Sequence, residues 1–163
     1  MIRPLAWLWA GVVIGVSFIA TPIKFTADSL TRPVALDVGR ATFHALALTE
    51  WVLLAVLALL IWREHWAGRR VPRAVVWCAG FILVVLVLQT GWLLPALDER
   101  VESIIDGIEP PPSPLHMVYG VLEVAKVFAL IALGVVAPPL ADRQTNRQTR
   151  SADGADEPAG LVA

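Results

Sequence analysis

The chain has little of what most soluble enzymes use for chemistry. A single cysteine, Cys78, among 163 residues excludes an intrachain disulfide, a paired-thiol redox motif and a cysteine-built zinc site. Its position inside a long apolar run makes it a small core residue. Acidic and basic side chains nearly balance, at a formal net charge of -1. With no basic stripe interleaved with aromatics, nucleic acid is excluded as a partner. HExxH, ExxH and a His pair at i, i+4 are all missing. No glycine-rich phosphate loop follows a strand, and Ser17, Ser29, Ser103 and Ser113 stand outside any nucleophile-elbow pattern. The alternation that marks strands is missing too, which removes the soluble cofactor folds.

What is abundant is apolar sequence, at 57% hydrophobic residues and a mean hydropathy of +0.68. Four runs, 5–23, 41–62, 74–97 and 115–136, predict an all-α bundle of four transmembrane helices within a 1–140 domain, with the lipid bilayer as partner. The first run has no charge and covers about 28 Å as a helix, against a hydrocarbon thickness of about 30 Å. Arg3 ahead of it raises a cleaved leader as the competing reading. The run is long and the small-x-small pattern around Ser17 to Ala20 is poor, so a retained span is expected. Gly11 and Gly15 form a small-xxx-small pair that would suit a homodimer. Pro22 and Pro95 sit near the ends of the first and third runs, where a helix tolerates a bend or a break.

Between the runs, charge assigns the sides. Arg63, Arg69, Arg70 and Arg73 face one acid, Glu64, in the second loop, which predicts a cytoplasmic loop. Asp98, Glu99, Glu102, Asp106 and Glu109 against Arg100 predict an outer third loop. Both termini are then cytoplasmic in the inner membrane, and 141–163, with Arg143, Arg147 and Arg150 among polar residues, reads as a disordered cytoplasmic tail. The first loop fits less well, because Lys24, Arg32 and Arg40 outnumber its acids. Short amphipathic helices are expected in the outer loops: Leu30, Val34 and Val38 recur at four-residue spacing, and Val101, Ile104, Ile105 and Ile108 follow i, i+3, i+4, i+7. Ser113 and Pro114 mark the start of the fourth helix. Trp7, Trp9, Trp62, Trp66, Trp77 and Trp92 fall near span ends, as an aromatic belt requires, and Trp51 lies well inside.

The fourth run carries the polar signal. His116, Tyr119, Glu123 and Lys126 are three, four and three residues apart and share one helical stripe. A charge facing lipid costs about 2.5–3.5 kcal/mol at mid-span, so the stripe must face other helices or water. Measured from the outer ends at about 1.5 Å per residue, Ser17, Glu50, Gln89 and Glu123 all lie about 12–13 Å deep, and Lys126 about 16 Å. Glu50, Gln89, Tyr119, Glu123 and Lys126 therefore form a candidate buried polar site. Two carboxylates against one ammonium leave an odd negative charge, which favours retaining a proton, binding a cation or borrowing a substrate's charge. The plainer reading is a polar knot in which the groups satisfy one another. His44 and His116 form a shallower tier whose imidazoles could ligate a divalent metal ion near carboxylates, or simply bond to loop groups.

The strings Phe18-Ile-Ala-Thr-Pro-Ile-Lys-Phe25 and Pro33-Val-Ala-Leu-Asp-Val-Gly-Arg-Ala-Thr-Phe43, with the last helix from Leu115-His116 through Glu123 and Lys126, resemble small four-span bacterial integral membrane proteins of unknown function. The resemblance implies the architecture and supplies no catalytic residue. A fainter likeness, in size and span count, is to anthrone-oxygenase-like membrane proteins. Three readings follow: a buried site that binds or conducts a proton, cation or small polar solute; a metal-dependent membrane oxidoreductase acting on a lipophilic substrate at His44 and His116; or an accessory subunit of a membrane complex.

Overall fold

The computed structural model describes residues 1–138; the expected tail at 141–163 lies outside the described residues. Four helices, each long and apolar enough to cross a membrane, make up the described residues: α1 (Ile2–Thr26), α2 (Arg32–Trp66), α3 (Arg73–Ile105) and α4 (Leu115–Val136). This is an all-α, multi-pass membrane fold, and each expected apolar run lies inside one helix. Consecutive helices run antiparallel, and α4 packs against both α1 and α3 to close the ring. Met1, Arg70 and Pro138 line one small cavity, so both ends of the described chain meet the α2–α3 loop. We call this the basic end of the bundle and the opposite one the acidic end.

The amphipathic segments expected in the outer loops are present in part, as extensions of α2 and α3 that leave Leu30 and Ile108 outside the helices. Pro33 falls in the first turn of α2, where its fixed φ suits a helix and its missing N–H is no loss. Helix then continues unbroken into the span. At 35 and 33 residues, α2 and α3 are each about 50 Å long, well beyond the hydrocarbon layer of about 30 Å. Their surplus lies at the acidic end. There Arg40 donates to Glu102 at 2.9 Å and His44 pairs with Asp98 at 2.7 Å. One turn along α2 is matched by one turn back along α3, as antiparallel helices require. A third bridge, Arg32 to Glu109 at 3.1 Å, reaches the following loop, and the Leu115 N–H donates to Ser113 Oγ at 3.3 Å as α4 begins.

Neither interior proline stops its helix. Ahead of Pro22 the backbone widens into a π-helical stretch, Ile14–Ala20, and ahead of Pro95 into another, Gln89–Leu93. The Thr21 N–H reaches back five residues to Val16, and the Leu94 N–H reaches back five to Gln89. A proline in a helix clashes with the carbonyl four residues earlier and cannot donate. Widening the preceding turn moves that carbonyl aside.

Two glycines carry close helix approaches, and they are not the pair the sequence singled out. A Cβ on Gly134 would strike the Trp7 indole, so its absence lets α1 lie against α4. A Cβ on Gly39 would overlap the Lys24 ammonium. Gly11 and Gly15 have open space in front of them among the described residues. Large apolar side chains such as Leu48, Val52, Trp77, Val121 and Phe128 point outward, as lipid-facing positions do.

Candidate functional site

The helices enclose a polar layer between two apolar clusters. Toward the basic end the core is Trp9, Val13, Leu57, Ile82, Leu86, Leu130 and Leu133. Toward the acidic end, Ala47, Leu93, Leu94 and Tyr119 close over it, with Phe43 packed alongside. Glu50, Gln89, Glu123 and Lys126 lie between the clusters and are at most 1% exposed. The depth matching expected from the sequence thus brings these four together from three helices.

Lys126 organises the layer. Its three N–H groups donate to Glu50 Oε2 at 2.7 Å, Gln89 Oε1 at 2.8 Å and Glu123 Oε1 at 2.8 Å. An ammonium has three donors, so this one is saturated. Glu123 Oε1 also accepts from Gln89 Nε2 at 2.8 Å, and its Oε2 accepts from Ser17 Oγ at 3.1 Å. Glu50 Oε1 accepts from Trp9 Nε1 at 3.0 Å. No buried side-chain N or O atom among the described residues lacks a partner. Such complete satisfaction is what makes a charged cluster tolerable in a low-dielectric interior.

The two carboxylates are not equivalent. Three donors converge on Glu123, from Lys126, Gln89 and Ser17, whereas Glu50 receives two, from Lys126 and Trp9. Glu50 is thus the carboxylate with fewer donors. With both ionised, the layer carries one negative charge more than its lone ammonium offsets.

Local backbone geometry aims two of these groups. Ser17 lies in the π-helical stretch of α1 and Gln89 opens that of α3. Both prolines therefore act at a distance of five or six residues, by re-aiming the turn that carries a site residue. Such π-turns occur often at functional sites. Tyr119, one turn from Glu123 on α4, is buried with its ring edge-on to Phe43 at 5.0 Å and 63°. Lys24 then lies 5.1 Å from the Phe25 ring centre and 5.9 Å from that of Phe43. The two short strings that carried the family resemblance thus meet over the acidic end of the site, through Lys24, Phe25, Gly39 and Phe43.

The structure adds Trp9, which the sequence reading assigned to the interfacial belt. Its indole is fully buried and bonded to Glu50. The available signal was its helical register: Trp9, Val13 and Ser17 recur every four residues on one face of α1. The shallower histidine tier is not assembled into a ligand set. His44 is engaged with Asp98, His116 is exposed, and no three His, Cys, Asp or Glu side chains gather for a metal ion among the described residues.

Comparison with known proteins gives a family without an activity. The chain belongs to the family described as domain of unknown function DUF4149, whose model matches residues 5–102. That match takes in Trp9, Ser17, Glu50 and Gln89, and it ends before α4. No curated protein and no solved structure matches the chain.

Proposed function

We propose that this membrane protein is a proton binder whose buried core takes up and releases one proton at Glu50. The observation that carries the reading is that two carboxylates share one ammonium within the layer, whose other polar groups, Trp9, Ser17 and Gln89, are neutral. One proton removes the uncompensated charge, which is expensive in a bilayer interior. A metal cation is disfavoured, because the tethered Lys126 ammonium already occupies the point where the acceptor oxygens converge.

Protonation has a defined local consequence. A proton on Glu50 Oε2 removes that oxygen as the acceptor of Lys126, leaving the ammonium on Glu123 and Gln89. The bridge from α4 to α2 loosens while the bridge from α4 to α3 remains. Because apolar clusters lie on both sides of the layer, proton exchange requires the helices to part at one end. The site is then a gated binder rather than an open conduit.

The test is an infrared pH titration of the protein in lipid nanodiscs. A protonated carboxyl band that rises as pH falls, disappears in Glu50→Gln and persists in Glu123→Gln is the expected result. A wild-type protein in which no buried carboxyl titrates would leave the layer as a static polar knot and overturn the proposal. Loss of the band in Glu123→Gln alone would move the proton to the other carboxylate.

A further inference from the structure

Away from the polar layer, an apolar groove of about 660 Å³ lies on the outer surface between α2 and α3. That is within the range of about 300–1,000 Å³ typical of small-molecule sites. Its cause is compositional: Ala55 and Ala58 on α2 face Ala79 and Gly80 on α3. Four small residues in a row leave the helices unable to fill the space between them, and no atom stands within 4 Å of where a Gly80 side chain would be.

The groove has direction as well as volume. It runs along α2 from Trp51 to His65, about 21 Å of helix, which exceeds the depth of one leaflet at about 15 Å. On α3 its wall is Val76, Gly80 and Leu83, and Arg73 lies one turn earlier on that same stripe. His65 lines the groove at the basic end, Arg73 opens α3 at that same end, and both are exposed. The same connection carries Arg63, Arg69 and Arg70 with a single acid, Glu64, which pairs with Arg69 at 3.2 Å. An apolar slot thus opens onto surplus positive charge at the level of the headgroups.

We infer that this groove binds one anionic phospholipid, its acyl chain lying against Ala55, Ala58, Ala79 and Gly80 and its phosphate held between His65 and Arg73. Charge selects this occupant. A helix of a second copy would fill the slot but leave the cationic mouth unanswered, whereas an anionic lipid satisfies both parts in one molecule. Basic sites between membrane helices take anionic headgroups for the same reason.

Native mass spectrometry of the full chain, with phosphatidylglycerol or phosphatidylcholine of identical acyl chains added to the detergent, tests this. The expected result is one phosphatidylglycerol per chain that stays bound under activation that strips phosphatidylcholine. The groove-filling pair Ala58→Leu, Gly80→Leu should lose it. The pair His65→Gln, Arg73→Gln should weaken phosphatidylglycerol retention about tenfold, to the level of phosphatidylcholine. Those two residues are exposed, so that arm reads the headgroup contact even if the filled variant does not fold. Equal retention of the two lipids by the wild type, or undiminished phosphatidylglycerol in either variant, would overturn the assignment. So would a groove-filling pair that turns a dimer into monomers, which would give the slot to a second copy.

Discussion

Lys126 is the residue on which the interior balances, and the sign of its replacement is unusual. Breaking a buried charge pair by removing one partner costs about 3–5 kcal/mol, because the other charge is left uncompensated. Lys126→Met leaves two carboxylates facing each other, so its thermal unfolding midpoint in detergent should fall sharply. Adding Glu50→Gln and Glu123→Gln to that variant should recover much of the loss, since a neutral, hydrogen-bonded layer carries no such penalty. A triple variant no more stable than Lys126→Met would show that packing, and not charge, sets the cost. Trp9→Phe is the finer probe. It removes one of only two donors to Glu50, and a carboxylate with fewer donors keeps its proton to higher pH. The carboxyl band of the infrared titration should therefore persist to higher pH in Trp9→Phe. A band at the wild-type position would separate Trp9 from the proton.

Among the helices, the two interior prolines behave alike. Pro22 and Pro95 read in the sequence as sites of a bend or a break, and helix continues through both with a widened turn ahead of each. The apolar runs and the shared depth of Ser17, Glu50, Gln89 and Glu123 were legible because helical rise converts residue number into position. The π-turns were not, because widening depends on how a displaced carbonyl finds a new donor, which residue spacing does not encode. Trp9 escaped for a related reason: nearness to a span end is a matter of depth, while the direction a side chain faces is a matter of register. A π-turn inserts one extra residue, so its loss would rotate one side of the helix by about 100° relative to the other. Pro95→Ala permits that loss. Although alanine is the better helix former by about 3 kcal/mol, the substitution should lower thermal stability, because Gln89 would leave Lys126 or Asp98 and Glu102 would leave His44 and Arg40. A more stable Pro95→Ala protein, with amide exchange unchanged over 89–93, would mean the turn is held by packing alone.

At the scale of the whole molecule, one asymmetry separates the two ends of the bundle. Both the long α2 and the long α3 project at the acidic end and are pinned there by Arg40–Glu102 and His44–Asp98, whereas the basic end closes with a short loop rich in arginine. Exposed bridges of this kind contribute at most about 1 kcal/mol each, so their role is to set the register of the projection. Because arginine-rich short loops favour the cytoplasmic side, the orientation to test has the acidic projection outside, along with Lys24 and the Phe43–Tyr119 lid of the polar layer. The first loop's excess of basic residues argues the other way by count alone, yet Arg32 and Arg40 are both paired with acids of the opposite segment and Lys24 lies against aromatic rings. Within this folded projection the first-loop charges are therefore largely answered locally. Because Cys78 is the lone cysteine, a Cys78→Ala background allows one reporter thiol at a time. In intact cells Asp106→Cys should react with a membrane-impermeant maleimide, and Ala67→Cys should react only after the membrane is opened. The reverse pattern would put the arginine loop and the anionic-lipid mouth on the outer face, and the Phe43–Tyr119 lid would then face the cytoplasm.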